Sequence, residues 1–221
     1  MQNNVIAGAN AESILSTNKL IRNTYILLSM TLLFSAFTAA ISVLLRMPPS
    51  TYLFSIGGAF LLMWFVLPKT ANSSSGIGVV FLITGLLGFS LGPILNMYLA
   101  LPNGPQIVAT ALGGTGVIFL GLSGYALTTK KDFSFLGGFL FVGFLVVLGA
   151  AILNIFMTIP ALSLALSAAI VMLMSGFILF DTSRMINGGI DNYVLATIQL
   201  YMNIFNLFIS LLHLLGFSRS D

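Results

Sequence analysis

Cysteine is absent from this sequence, and charge is scarce, since Asp, Glu, Lys and Arg make up only 6% of its 221 residues. The absence of cysteine excludes disulfide bonds, thiolate chemistry and cysteine-ligated metals. One histidine and five carboxylates argue against a preformed metal site, and no cofactor is expected. The eight Lys and Arg form no dense patch that could follow a phosphate backbone, so nucleic-acid binding is excluded.

Long apolar segments make up most of the chain. Apolar residues account for 58% of it, and the mean hydropathy is +1.08. The apolar runs reach about 20 residues, the length of helix that spans a bilayer core of about 30 Å. They lack the alternation of barrel strands, so they predict an all-α integral membrane protein, a bundle of seven transmembrane helices. The runs lie at about 24–45, 51–68, 76–100, 105–128, 133–158, 161–180 and 192–216.

The distribution of cations orients the predicted bundle, because short loops rich in Lys and Arg stay on the cytoplasmic side. Six cations fall on the side of the N-terminus and two on the other. The six are Lys19, Arg22, Lys69, Lys130, Lys131 and Arg184, and the two are Arg46 and Arg219. We therefore expect a cytoplasmic N-terminus and a C-terminus on the outer side.

The two ends of the chain are polar. Residues 1–23 lack the apolar core and small-residue cleavage site of a signal peptide. They predict a disordered cytoplasmic tail ahead of the first helix. Residues 218–221 predict a short outer tail.

Glycine and proline indicate how the predicted helices pack. Gly88 and Gly92 form a Gly-x-x-x-Gly pair, and the stretch ALGGTGVIFLGLSGYA of the fourth helix is similarly rich in glycine. Both predict close approach of helices inside the bundle in preference to a dimer interface. Pro93 predicts a kink, with Asn96 a candidate to satisfy the carbonyl that proline leaves unpaired.

A polar stripe runs along the seventh helix. Its members are spaced 4, 3, 4 and 3 residues apart, so they share one face of an α-helix. They are Gln199, Asn203, Asn206, Ser210 and His213. Polar groups facing lipid are costly, so the stripe lines either an interhelical hydrogen-bond seam or a hydrated path.

Asp181 is the one carboxylate that the sequence places at membrane depth, at the end of the sixth helix. An ionisable group there is a candidate ion-binding or pH-sensing residue, together with Asn203, Asn206 and His213. The alternative is an exposed carboxylate that pairs with Arg184 on the next turn.

Two apparent enzymatic signals are weak. The Gly-x-Ser-Gly sequence around Ser123 and the distant His213 imitate a serine hydrolase dyad, but their depths differ by about 30 Å. All four lysines lie in the tail or loops, so no intramembrane amine could bind retinal. No residue is predicted to be catalytic.

Several long motifs carry a resemblance to a known family. LFDTSRMINGG followed by NYVLATIQLYMNIFNLFISLLHLLG resembles the C-terminal signature of the transmembrane Bax-inhibitor-motif family. LSTNKLIRNTYILLSMTLLFSAFTA, LGPILNMYL, ALGGTGVIFL and TTKKDFSFLGGFL are similar to a bacterial branch of that family. The resemblance implies a bundle in which the polar last helix is surrounded by the other six, in a bacterial inner membrane.

The family implies two different functions. Members of the modulator branch associate with the FtsH protease complex and restrain it, and this is the predicted function and partner. Members of the calcium-leak type use a pair of aspartates to sense pH. In this sequence one of those positions is Asp181 and the other is Asn203, and the second helix carries no arginine. A hairpin centred near Gly188 would also leave Asn203 on the order of 12 Å deeper than Asp181. A proton-linked cation or calcium leak through the polar stripe is therefore the alternative.

Overall fold

The computed structural model describes residues 2–217, with side-chain surroundings from residue 15 onward. Within this range the chain forms seven long apolar helices and no strand, which confirms the predicted all-α class and number of spans. The helices are α1 (Gln2–Leu44), α2 (Ser50–Thr70), α3 (Ser75–Leu99), α4 (Gly104–Thr129), α5 (Leu136–Met157), α6 (Pro160–Ile186) and α7 (Tyr193–Phe217).

Proline shapes α2. This helix has an α-helical part, Ser50–Leu61, a π-helical turn, Leu62–Val66, and a last α-helical turn, Leu67–Thr70. Pro68 has no N–H for the carbonyl four residues earlier, and its ring would crowd that carbonyl in a regular helix. The wider π-helical turn accommodates the proline just before the helix ends.

The first helix is longer than the sequence predicts. It begins at Gln2, so residues predicted as a disordered tail continue the helix. Polarity indicates contact with water but does not end a helix, and residues 9–23 contain neither Gly nor Pro. At about 1.5 Å per residue, α1 is about 64 Å long, roughly twice the thickness of a hydrocarbon core. The predicted outer tail at 218–221 lies outside the described residues.

Helix α7 is the centre of the bundle. It contacts α1, α3, α4 and α6, whereas α2 packs on α3 and α5 packs on α6. The last helix is therefore surrounded by four helices, not by the expected six. The reason is visible in α5, where Leu140 is the one buried residue and large side chains such as Phe139 and Phe156 are exposed. A helix that is apolar on every side is solvated by lipid and needs no contact with the centre.

Glycines bring α1 and α3 close together in the largest interface of the bundle. A Cβ atom on Gly88 would overlap the Ser35 carbonyl oxygen, and one on Gly92 would overlap the Ser42 side chain. The predicted close approach is confirmed for this pair. It is wrong for most of the α4 stretch, where a Cβ on Gly113, Gly116, Gly121 or Gly124 would meet nothing within 4 Å and one on Gly114 would only reach van der Waals contact with Leu211 at 3.5 Å.

The sequence suggested that Asn96 satisfies the carbonyl that Pro93 leaves unpaired, but Asn96 has a different partner. Its Nδ2 donates to the Val43 carbonyl oxygen of α1 at 3.3 Å. An Asn side chain in a close helix pair reaches the neighbouring backbone as readily as its own, so its position in the sequence does not determine its partner.

One end of the bundle carries most of the charge, and we call it the charged end. Helices α2, α4 and α6 end there, and α3, α5 and α7 begin there. Its cations are Lys19, Arg22, Lys69, Lys130, Lys131 and Arg184. This is the end that the cation bias predicts to be cytoplasmic.

Candidate functional site

Asp181 and Asn203 meet inside the bundle. Asn203 Nδ2 donates a hydrogen bond of 2.7 Å to Asp181 Oδ2, and the two residues are 7% and 6% exposed. Asp181 lies one and a half turns before the end of α6, and Asn203 lies near the middle of α7. The expected 12 Å difference in depth is therefore wrong.

The error came from the centre assigned to the α6–α7 hairpin. Pairing of Asp181 with Asn203 places the midpoint of the hairpin at residue 192, and not at Gly188. Gly188 does adopt a positive φ of 77°, which suits glycine. The chain remains non-helical for several residues beyond it, however, and turns into α7 only at Tyr193.

Asn192 fixes the start of α7. Its Oδ1 accepts hydrogen bonds from the Val194 and Leu195 amides at 2.8 and 3.1 Å, which is the geometry of a helix N-cap. Its Nδ2 donates to the Ala71 carbonyl oxygen at 3.0 Å and to Asn72 Oδ1 at 2.7 Å. One side chain thus caps α7 and ties it to the connection between α2 and α3, which sets the register of the central helix.

Two polar residues directly after Asp181 bind other parts of the bundle. Thr182 is fully buried, and its Oγ1 lies 3.4 Å from Tyr25 OH of α1 and 3.4 Å from Ser123 Oγ of α4. Ser183 Oγ accepts from the Phe133 amide at 2.8 Å and donates to the Lys131 carbonyl oxygen at 3.1 Å.

The segment 181–183 therefore joins α7, α1, α4 and the α4–α5 connection through three consecutive side chains. Sequence reasoning missed the roles of Thr182 and Ser183. The available signal was the run of polar residues in LFDTSR at the end of an apolar helix.

Arg184 does not neutralise Asp181 as the exposed-pair alternative requires. Its guanidinium donates to the Gly189 carbonyl oxygen at 2.8 Å and lies 5.4 Å from the centre of the Phe180 ring. The cation thus lies at the C-terminal end of α6, where a positive charge interacts favourably with the helix dipole. Asp181 points inward, to Asn203.

The polar stripe of α7 is divided among several environments. Asn203 and His213 both reach α6, His213 through a contact of 3.0 Å between its Nδ1 and Ser167 Oγ. Asn206 Nδ2 donates to the Met202 carbonyl oxygen of its own helix at 2.8 Å. Ser210 is buried, and Gln199 Oε1 is buried with no partner in the described part of the chain. The contacts across to α6 are those of an interhelical seam.

A second polar contact joins the centre of the bundle to α1 and α3. Tyr201 OH donates to the Thr84 carbonyl oxygen at 3.3 Å and lies 2.5 Å from Ser35 Oγ. Tyr201 is 1% exposed, and its ring stacks on Phe205 with 6.1 Å between ring centres. Neither hydroxyl was among the predicted site residues, since a tyrosine in an apolar helix gives no periodic signal.

An apolar cavity of about 430 Å³ lies between α1, α3, α4 and α7. Helix α7 contributes Tyr201, Ile204, Phe205 and Phe208 to its wall. At 100° per residue, these side chains lie on the face of α7 opposite the polar stripe. The cavity therefore adjoins the aromatic face of the last helix, where a hydrated ion would find few polar partners.

The apparent hydrolase residues lie far apart in the fold. Ser123 contacts Thr182 near the charged end, and His213 contacts Ser167 in the opposite half of the bundle. Among residues 15–217, whose side chains the structure describes, no group of three His, Asp or Glu side chains could hold a metal ion.

The fold and the seam define a multi-pass α-helical membrane protein, built around a central helix that is hydrogen-bonded to its neighbours. A family model described as "Inhibitor of apoptosis-promoting Bax1" matches residues 17–220. The chain belongs to this family, as the sequence motifs predicted.

Relatives match nearly the whole chain. The Escherichia coli K12 protein named "Modulator of FtsH protease YccA" is 50% identical over 209 residues, 95% of this chain and 94% of the relative. An equal match in another Escherichia coli strain is named "Inner membrane protein YccA". A membrane protein of Vibrio cholerae is 50% identical over 210 residues, again 95% of this chain and 94% of the relative. The protein is thus a multi-pass inner-membrane protein.

Proposed function

We propose that this protein is a modulator of the FtsH protease complex in the bacterial inner membrane. The observation that carries the proposal is the 50% identity, over almost the full length of both chains, with a relative whose name states that role. On this proposal the protein is not an enzyme and acts by contact with the protease.

The shape of α1 supports this function. With about 64 Å of helix and about 30 Å of hydrocarbon to cross, α1 extends beyond the membrane at the charged end. The cation bias favours a cytoplasmic charged end, with the N-terminal part of α1 on the side where a membrane-anchored, ATP-dependent protease works. That part of α1 is the segment we expect the protease to engage.

The arrangement of α6 and α7 also supports a contact function. Asp181, Thr182 and Ser183 are all buried, and each bonds a different part of the bundle. A seam of this kind stabilises one arrangement of helices and presents a fixed surface to a partner. We expect the bundle to act as a rigid body during binding.

Deletion of residues 2–14 tests the proposal. The deletion ends before Thr17 and Leu20, which contact the bundle, so the core stays intact. In cells that contain FtsH, we expect the truncated protein to have a longer half-life and to slow the degradation of a membrane substrate more than the full chain does. In cells without FtsH, the two half-lives should be equal. An unchanged half-life in the presence of FtsH would contradict the proposal.

A pH-sensitive cation leak is the second candidate, and one observation favours it: Asp181 is a buried carboxylate beside the central helix. Two observations count against it. Asn203 supplies an amide in place of a second carboxylate, and the cavity beside α7 lies on its aromatic face.

Liposomes separate the two candidates. A leak requires calcium flux between about pH 6 and 8 that Asp181→Asn alters. Purified protein that passes no calcium in this range would end the leak hypothesis and leave the modulator proposal standing.

A further inference from the structure

A second cavity, also of about 430 Å³, opens at the charged end between α1, α4 and α6. Two cations from different helices line it, Arg22 of α1 and Lys130 at the end of α4. Thr17 and Asn18 add a hydroxyl and an amide from the preceding turn of α1. A cavity of this size accommodates a small polar ligand, and its donors suit an anion.

Two carboxylates near the charged end have partners outside the cavity. Asp132 Oδ1 accepts a hydrogen bond of 2.8 Å from the Ser134 amide, and the pKa of Asp132 is lowered by hydrogen bonds from the Ser134 side chain and amide. The Asp181 carboxylate accepts a hydrogen bond from Asn203 inside the bundle. The residues that line the cavity include Arg22 and Lys130 and no carboxylate, so the lining is positively charged.

The backbone holds Lys130 in position. Lys130 has a φ of 50°, a left-handed conformation that non-glycine residues rarely adopt, while its amide donates to the Ala126 carbonyl oxygen. The next residue is fixed as well, because the Lys131 carbonyl oxygen accepts from Ser183 Oγ. The lysine thus projects from a turn that is attached to α6.

The other walls of the cavity are apolar. Ile21, Leu127 and Ile186 lie beside the cations, and the cavity opens at the charged end between the apolar helices α1, α4 and α6. A free phosphate ion would gain nothing from these apolar walls. A phospholipid matches both the cations and the apolar walls of the cavity, since its phosphate is anionic and its glycerol backbone carries acyl chains.

We propose that this cavity binds the phosphate group of an anionic phospholipid. Arg22 supplies a planar guanidinium and Lys130 an ammonium group for the phosphate oxygens, and Asn18 and Thr17 supply additional donors. Basic pockets between helices at the cytoplasmic side of a membrane recognise anionic headgroups in this way. The site is separate from the seam of α6 and α7 and does not depend on the proposed function.

Native mass spectrometry of the full chain tests the site, with phosphatidylglycerol and phosphatidylcholine of identical acyl chains as probes. We expect a preference for phosphatidylglycerol that falls about 30-fold in the Arg22→Gln, Lys130→Gln double variant, because each cation near a membrane surface contributes about fivefold. The control is the double variant Arg46→Gln, Lys69→Gln. It removes the same charge away from the cavity and should keep the preference.

Two further arms complete the test. Asn18→Asp places a negative charge at the cavity and leaves both cations in place, so it should weaken phosphatidylglycerol binding even if the double variant folds poorly. Inorganic phosphate in excess identifies the source of the phosphate group: failure to displace phosphatidylglycerol assigns the site to the lipid, and displacement assigns it to the free ion. Equal binding of the two lipids by the parent protein, or an unchanged preference in both cavity variants, would overturn the proposal.

Discussion

Asn203 and Asp181 join the last two helices through a hydrogen bond of 2.7 Å that spans 22 residues of sequence. Each residue is more than nine-tenths buried, so neither group could find water if the bond broke. The contact therefore opposes any sliding of α7 against α6.

The strength of this contact can be measured with a double-mutant cycle in detergent micelles. Asp181→Ala and Asn203→Ala each leave one buried polar group without a partner, so each should lower the free energy of unfolding by about 1–3 kcal/mol. The coupling energy should be about 0.6 kcal/mol and at most about 1.7 kcal/mol, the range found for hydrogen bonds between membrane helices.

Asn206→Ala provides the matched control for this cycle. Asn206 lies on the same stripe of α7, but its Nδ2 donates to the Met202 carbonyl oxygen of its own helix. Its coupling with Asp181→Ala should therefore be near zero. Equal coupling for Asn203 and Asn206 would show that the hydrogen bond has no specific effect on stability.

Asn203→Asp should make the stability of the protein depend on pH. The substitution places two carboxylates at hydrogen-bond distance, and two such groups cannot both ionise cheaply. The folded pair then keeps a proton at pH values where the unfolded chain, whose aspartates titrate at about pH 4, has already released it. Stability is therefore present at low pH and is lost as the pH rises. We expect a lower melting temperature at pH 8 than at pH 6 for this variant.

Asn203→Leu is the control for the pH effect, since it removes the amide without adding a charge. It should lower the melting temperature by a similar amount at both pH values. Calcium flux through liposomes is the second measurement on Asn203→Asp. Flux in this variant and none in the parent protein would show that the amide at position 203 suppresses a leak. A melting temperature of Asn203→Asp that varied with pH no more than that of the parent would contradict the prediction.

Composition and periodicity predicted the number of helices, because a helix needs about 20 apolar residues to cross a bilayer core of about 30 Å and each apolar run is about that long. They also identified Asp181, Asn203 and His213 as residues of interest, because a polar group in an apolar run is conspicuous. The resemblance paired the positions of Asp181 and Asn203, but the spacing argument wrongly separated them, since the register of two helices depends on the path of the connection between them. That path is set by Asn192, whose partners Ala71 and Asn72 are 121 and 120 residues away in sequence.

The closeness of helix packing was also only partly predictable. Glycine allows two helices to approach but does not require it. Gly88 and Gly92 face Ser35 and Ser42 of α1, whereas Gly113 and Gly124 of α4 face no neighbour. Nothing in the local sequence distinguishes the two groups, because the difference lies in which face of each helix another helix covers.

Gly88→Ala and Gly92→Ala should destabilise the bundle. The added methyl group would overlap the Ser35 carbonyl oxygen in the first variant and the Ser42 side chain in the second. Overpacking of this kind costs about 1–3 kcal/mol, because α1 and α3 must move apart along their largest interface. Thermal unfolding in detergent would record the loss as a lower melting temperature.

The glycine prediction has a control in the neighbouring helix. A methyl group on Gly124 would meet no atom within 4 Å, so Gly124→Ala should leave the melting temperature unchanged or raise it through better helix propensity. If all three variants lost the same stability, the loss would not depend on the α1–α3 contact, and the prediction would be contradicted.

Asn192→Ala should loosen the start of the central helix. The variant loses the N-cap of α7, which contributes about 1 kcal/mol, and also the bonds to Ala71 and Asn72. Asn192→Ser separates these effects, because serine can still cap the helix but is too short to reach the α2–α3 connection. We expect faster hydrogen exchange at the Val194 and Leu195 amides in Asn192→Ala than in Asn192→Ser, with both faster than in the parent.

Since the register of α7 positions Asn203 against Asp181, the Asn192→Ala variant should also reduce the coupling energy of that pair. An unchanged coupling energy would mean that the bond between the two helices sets the register by itself.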